Sequence, residues 1–204
     1  ALAAAALVTP HPRLRTFGWV RHLVERHPVR ERWWNIVAVT NIVLGILLGI
    51  YTGILLSAFG ARPLWNSAIL GPLFLASGLS SAAAFIHMAA TRIDEREFFA
   101  RTDNKVLTVE LFILFLFLIG LATSARPHME AAAMLVSGSY APLFWVFVVV
   151  LGIVLPLILQ SLAVRHYIRH SPVVPIAVMA GGLTLRFVIV NAGQISHWTK
   201  IVLR

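Results

Sequence analysis

The sequence predicts an all-α polytopic membrane protein, a bundle of about five transmembrane helices. Three observations carry this. Of its 204 residues, 59% are hydrophobic and 12% charged, about half the charge a soluble domain carries. Mean hydropathy is +0.84. The apolar residues are gathered into runs of the length that crosses a bilayer core of roughly 30 Å, about 20 residues per helix.

The first run extends from about Trp34 to Phe59 and the second from about Leu64 to Thr91. The third covers about Val106–Thr123, the fourth Pro142–Val164 and the fifth Pro172–Gly193. Residues 1–33 are expected to hold the end of a helix, ALAAAALV, cut short at its start, and then a basic cytoplasmic loop. Residues 34–204 are expected to form the five-helix transmembrane domain. Between spans three and four, MEAAAML predicts a short helix in the loop Ala125–Ala141. Pro156, after Gly152, predicts a kink in the fourth span. Pro72, after Gly71, predicts a bend or restart in the second. Gly181-Gly182 permits close approach of a neighbouring helix.

Basic residues set the orientation. Arg13–Arg32 holds six arginines, Arg92–Lys105 four Lys/Arg and Arg165–His170 two. The opposite side has four, Arg62, Arg126, Lys200 and Arg204. Positively charged loops stay inside, so the first three stretches are expected in the cytoplasm of a prokaryotic cell bounded by this inner membrane. The C-terminus is expected outside. Trp33, Trp34, Trp65 and Trp198 fall near the expected interfaces, as an aromatic belt does. The same topology explains the net charge of +9 without nucleic-acid binding. The stretch from Arg92 to Arg101 mixes acids and bases at helical spacing and reads as a solvated loop or short helix.

The sequence contains no cysteine, which excludes disulfides, zinc–thiolate sites and iron–sulfur clusters built from this chain alone. Its eight histidines fall at span ends or in the basic loop. No two share the mid-membrane depth that bis-histidine haem ligation needs, so neither haem nor an iron–sulfur cluster is expected. No phosphate-binding loop, nucleophile elbow or zinc-protease motif is present.

Charge within a bilayer costs about 2.5 kcal/mol or more, so two residues in the spans need a reason. Arg186 lies two-thirds of the way to the outer face of span five. It either orients a ligand headgroup or proton route, or serves a structural pair. Glu110 lies in the cytoplasmic end of span three and is either a proton carrier or a structural or interfacial group. Tyr51, in GIYTGILLS, reaches a depth similar to that of Arg186. Its hydroxyl needs a partner, which a quinone carbonyl or a neighbouring helix supplies. Tyr51 and Arg186 could line one polar pocket below the outer surface.

Three blocks carry a family resemblance. YTGILLSAFGARPLWNSAILGPLFLASGLS, from Tyr51, resembles a YTG-x-LLS helix followed by R-P-L-W-N-S and a P-L-F-L-x-S helix. FWVFVVVLGIVLPLIL (Phe144–Leu159) resembles an FW-x-G-VVVLG-LLLP-LLL helix, and GGLTLRFVIVNAGQ (Gly181–Gln194) a GG-LLLRY-VIVYAGQ helix. Together they are identified as those of the NrfD/polysulfide-reductase membrane-subunit (PsrC-like) family. Asn191 departs from the aromatic common before A-G-Q.

The resemblance implies a non-haem membrane subunit of a respiratory oxidoreductase complex. Such a subunit binds quinone, menaquinone or ubiquinone, near the outer face. There an iron–sulfur subunit docks, with a molybdopterin or multihaem cytochrome subunit beyond it in many relatives. By the resemblance Tyr51 lies near the quinone, with Arg186 a second candidate. Arg62, Trp65 and Asn66 then face the partner. Family members have eight or more spans, so the five here correspond to the C-terminal part of that fold, and the wall of the quinone site built by earlier helices is missing. Competing expectations are a purely structural or proton-route subunit and a small transporter or channel. Against the latter stand the few polar residues in the spans and the lack of inverted repeats.

Overall fold

The computed structural model describes residues 31–58, 60, 62–90, 92–164 and 172–196. The segment Ala1–Val8, nearly all of the basic stretch before Glu31, the loop Arg165–His170 and everything after Ser196 lie outside the described residues. Among the described residues the protein is entirely helical. It comprises α1 (Glu31–Ala58), α2 (Leu70–Ala89), α3 (Ile93–Ala122) and α4 (Arg126–Val136). A π-helical segment, Leu143–Val154, then runs directly into α5 (Leu155–Val164), and α6 (Val173–Ile195) follows. Five of the described stretches are long and apolar enough to cross a membrane: 35–58, 70–89, 93–122, 143–164 and 173–195. The protein is a multi-pass membrane protein.

Two compact units divide the sequence, residues 1–48 and 49–204. The described part of the first is the beginning of α1, whose Ile36, Val39, Ile42, Leu47 and Leu48 are exposed. Apolar side chains on a bilayer-spanning helix suit lipid or another apolar helix.

The second unit is a bundle in which α2 packs on α3 and α6, and α6 also packs on the π segment. Its core is apolar: Leu73, Leu107, Leu114, Phe117, Phe144, Leu185 and Ile189 are fully or almost fully buried. Lipid is as apolar as these side chains, so close packing rather than expulsion from water holds such a bundle. The glycines show how close. A Cβ on Gly152 would lie 2.7 Å from Gly181 Cα, and one on Gly53 2.7 Å from the Leu70 carbonyl carbon. At both points backbone meets backbone.

Four local features differ from, or sharpen, the sequence reading. Helix α2 starts at Leu70, so Pro72 sits in its first turn, where a missing N–H costs nothing. The preceding residues form turns, with Trp65 and Asn66 N–H groups both donating to Arg62 O (3.1 Å each). Helix α4 forms over the MEAAAML stretch, with Pro127 in its first turn. At Pro156 the helix changes type. Leu155 N–H donates to Val150 O, five residues back. The next such bond would need an N–H from Pro156, which has none, so the π ladder stops and α5 begins.

The largest difference is α3. Its beginning, Ile93–Lys105, is helix continuous with the span, so of the solvated loop and the short helix expected over Arg92–Arg101 the helix forms. The buried residues of α3 are Ala100, Asp103, Leu107, Glu110, Leu114, Phe117 and Leu121, spaced alternately by three and four. That is a heptad stripe, and it carries Asp103 and Glu110 into the bundle. Arg101 and Lys105 stay on the exposed face, with Arg101 paired to Glu97 one turn before it.

Candidate functional site within the membrane

Polar side chains gather at three levels. The middle level joins α2, α3 and α6. Glu110, 3% exposed, accepts a hydrogen bond from Ser80 Oγ at 2.9 Å. Ser77, fully buried one turn earlier on α2, flanks the same carboxylate. Arg186 reaches from α6 across to α2. Its Nη1 donates to Gly182 O in its own helix, and its Nη2 to Phe74 O, both at 3.3 Å. The guanidinium stands 5.9 Å from the centroid of the Phe74 ring, within cation–π range.

Small residues make room for it. A Cβ on Gly78 would touch Arg186 Nη2 at 3.4 Å, and one on Gly182 would press on Ser81 Oγ at 2.7 Å. Arg186 and Glu110 feel each other's charge, but among the described residues no carboxylate ion-pairs directly with Arg186. Opposite charges at this separation, in a low-dielectric interior, reduce the cost that each would bear alone.

A second level lies where the connection between α1 and α2 folds over the end of α6. Arg62 Nη1 donates to Ser196 O and Trp65 Nε1 to Ile189 O, each at 3.0 Å. The Trp65 indole occupies the space a Cβ on Gly193 would need. Arg62 and Trp65 therefore tie the connection to α6, and Asn66 beside them is exposed.

The third level, at the opposite end of α3, joins α3 to α5. Gln160 Nε2 donates to Asp103 Oδ2 at 2.6 Å, and Asn104 Nδ2 to Ser161 Oγ at 3.1 Å. Asp103 is 0% and Gln160 1% exposed. Sequence reasoning missed this level. The available signal was that Asp103 precedes Glu110 by seven residues, two helical turns, and so shares its face.

Tyr51 is brought to none of these levels by a hydrogen bond. Its side chain is 55% exposed, and among the described residues its hydroxyl has no hydrogen-bond partner. Its position on α1 is nonetheless fixed, because Gly53, two residues on, meets the Leu70–Gly71 backbone. No hydrogen bond joins Tyr51 to Arg186.

The polysulphide reductase NrfD family model matches residues 3–197. The protein belongs to the NrfD family. It is 36% identical over 168 residues to the C subunit of polysulfide reductase from Wolinella succinogenes, which accounts for 76% of its own length and 53% of that protein. It is 36% identical over 170 residues to protein NrfD of Escherichia coli, or 76% and 52% of the two lengths. The NrfD homolog of Haemophilus influenzae is 34% identical over 179 residues, or 82% and 56%. The sequence thus spans about half the length of these relatives. No solved structure matches it.

The NrfD-like sequence blocks coincide with the closest contacts of the bundle. The glycine of YTG, Gly53, meets the glycine before P-L-F-L, Gly71. The glycine of VVVLG, Gly152, meets the first of the GG pair, Gly181. The tryptophan of R-P-L-W-N-S, Trp65, packs on the glycine of A-G-Q, Gly193.

Proposed function

We propose that the protein is a quinone-interacting membrane subunit of a respiratory oxidoreductase complex that exchanges electrons with an extracytoplasmic iron–sulfur subunit. The observation that carries this reading is NrfD-family membership over residues 3–197. The Wolinella relative is by name one component of polysulfide reductase. The loop charges favour the Arg62–Trp65 end of the bundle outside the cytoplasm, where the exposed Asn66 would be available to a docked partner.

A quinone would supply a carrier of electrons and protons that moves within lipid. The residues present fit it at one point. Tyr51 offers a phenolic hydroxyl, unpartnered among the described residues, on the mainly apolar α1. Such a group takes a carbonyl acceptor. A hydrogen bond to that oxygen strengthens as negative charge develops there. Arg186 acts differently. With its donors directed at Gly182 O and Phe74 O, it contributes a positive potential to the middle of the bundle. Glu110, hydrogen-bonded to Ser80, is the group there able to take up or release a proton.

The test is Tyr51→Phe in the assembled complex. Normal subunit stoichiometry with quinone-dependent turnover lowered about 10- to 100-fold is expected, the worth of one hydrogen bond to a developing charge. Unchanged turnover would assign the subunit a purely anchoring role.

A further inference from the structure

The bond between Gln160 and Asp103 leaves something over. Gln160 Nε2 donates to Asp103 Oδ2 at 2.6 Å, yet the other oxygen of each group, Asp103 Oδ1 and Gln160 Oε1, is buried without a hydrogen-bond partner. Both are acceptors in the ionised form of Asp103, so neither can satisfy the other. Each belongs to a planar group whose other polar atom is already in the Gln160–Asp103 bond. One proton on Oδ1 resolves both at once: it turns Oδ1 into a donor and gives Oε1 its partner. An ionised carboxylate would instead leave a charge at 0% exposure with one neutral amide donor to support it, a costly arrangement in an apolar interior.

We propose that Asp103 is a proton-binding site, held as the neutral acid by a two-point acid–amide pair in which Asp103 Oδ1–H donates to Gln160 Oε1 and Gln160 Nε2–H donates to Asp103 Oδ2. The ligand is a proton drawn from the water at the α2–α3 connection. Seven residues along α3, about 10.5 Å away, lies Glu110. Leu107, 1% exposed, fills the interval on the same stripe. The two carboxyls are therefore separate proton sites divided by an apolar layer.

Among the described residues, Arg101 and Lys105 beside Asp103 on α3 are exposed, and the elements packed on its buried face carry few titratable groups. Helices α2 and α3 run antiparallel, and the Ser80–Glu110 bond sets a register that places the buried His87 of α2 near the level of Asp103. Helix α5 has no titratable residue within Leu155–Val164, and the π segment has none. Arg186 stands a heptad away at the level of Glu110. Arg126, His128 and Glu130 of α4 are at the far end of α3. Asn104 Oδ1, also buried without a partner, is not served by this proton.

The test is infrared difference spectroscopy on the native complex at neutral pH, in H2O and D2O, comparing wild type with Asp103→Asn. The asparagine amide donates to Gln160 Oε1 and accepts from Gln160 Nε2, so the variant keeps the pair and loses only the acid. A neutral-carboxyl C=O band that shifts in D2O and is lost in Asp103→Asn is expected. Absence of such a band from the wild-type-minus-variant spectrum, with a carboxylate band in its place, overturns the proposal. Gln160→Leu gives a second reading. It is expected to move the neutral-acid band, because the hydrogen bond to Oε1 is gone; a band that stays in place overturns the pairing. Neither measurement reads quinone content or turnover, so its failure leaves the functional proposal standing, and the reverse holds too.

Discussion

Tyr51 and Arg186 are both polar side chains on apolar helices, and the bundle uses them in opposite ways. Arg186 is half-buried, with two of its donors on the carbonyls of Gly182 and Phe74 and its guanidinium 5.9 Å from the centroid of an aromatic ring. Tyr51 is mostly exposed, with a hydroxyl unpartnered among the described residues. The contrast separates two meanings of a polar residue in a membrane. One whose donors are consumed by backbone holds helices together, and its charge acts at a distance. One whose donor is open is available to something that arrives.

Substitutions sharpen this comparison in descending order of effect. The largest belongs to neither residue. Gly181→Leu places a side chain where Gly152 backbone already lies, and overpacking that cannot relax costs more than about 3 kcal/mol. The complex is expected not to accumulate in membranes, as read by immunoblot of solubilised material.

Arg186→Leu follows. It strips the bond to Phe74 O and the counter-charge of Glu110, and a loss of about 1–3 kcal/mol in thermal stability is expected. Arg186→Lys keeps the charge but lacks the fork that reaches two carbonyls on different helices, so about half that loss is expected. Equal stability of wild type and Arg186→Leu would remove the structural side of the contrast.

Tyr51→Phe has the opposite profile, with the melting temperature unchanged and quinone-dependent turnover down about 10- to 100-fold. A fall in stability comparable to that of Arg186→Leu would erase the distinction. Trp65→Phe deletes the bond to Ile189 O and is expected to cost about 1 kcal/mol. Asn66→Ala, at an exposed site, should leave the melting temperature in place and, on the proposed function, weaken only co-purification with an iron–sulfur subunit.

The five spans and the short α4 were legible because apolar run length is a property of sequence alone. The start of α3 was legible only as one of two readings, loop or short helix. A hydropathy window averages Asp103 with Arg101 and Lys105 and returns a loop, whereas the helix sorts the same residues by face. Glu110 and Arg186 stood out singly because charge in a membrane is costly. Their partners Ser80 and Phe74 did not, since the registers of α2 against α3 and of α2 against α6 are set by tertiary packing. For the same reason the glycine of A-G-Q carried no hint that Trp65 lies on it. Pro156 marked the right place, but the change from π to α ladder follows from a missing N–H five residues downstream of a carbonyl, which a kink rule does not express.

The short connection between α2 and α3 has a consequence for how the protein is made. Two antiparallel helices joined this tightly can enter the bilayer together, and they bring the Ser80–Glu110 hydrogen bond with them, so Glu110 is accommodated as soon as the hairpin is laid down. Asp103 enters on the same hairpin, but its partner Gln160 is synthesised 57 residues later, and Arg186 later still. During biogenesis the two acidic residues of one helix therefore face different waits, one chaperoned from the start by its own hairpin and the other exposed until the next span arrives.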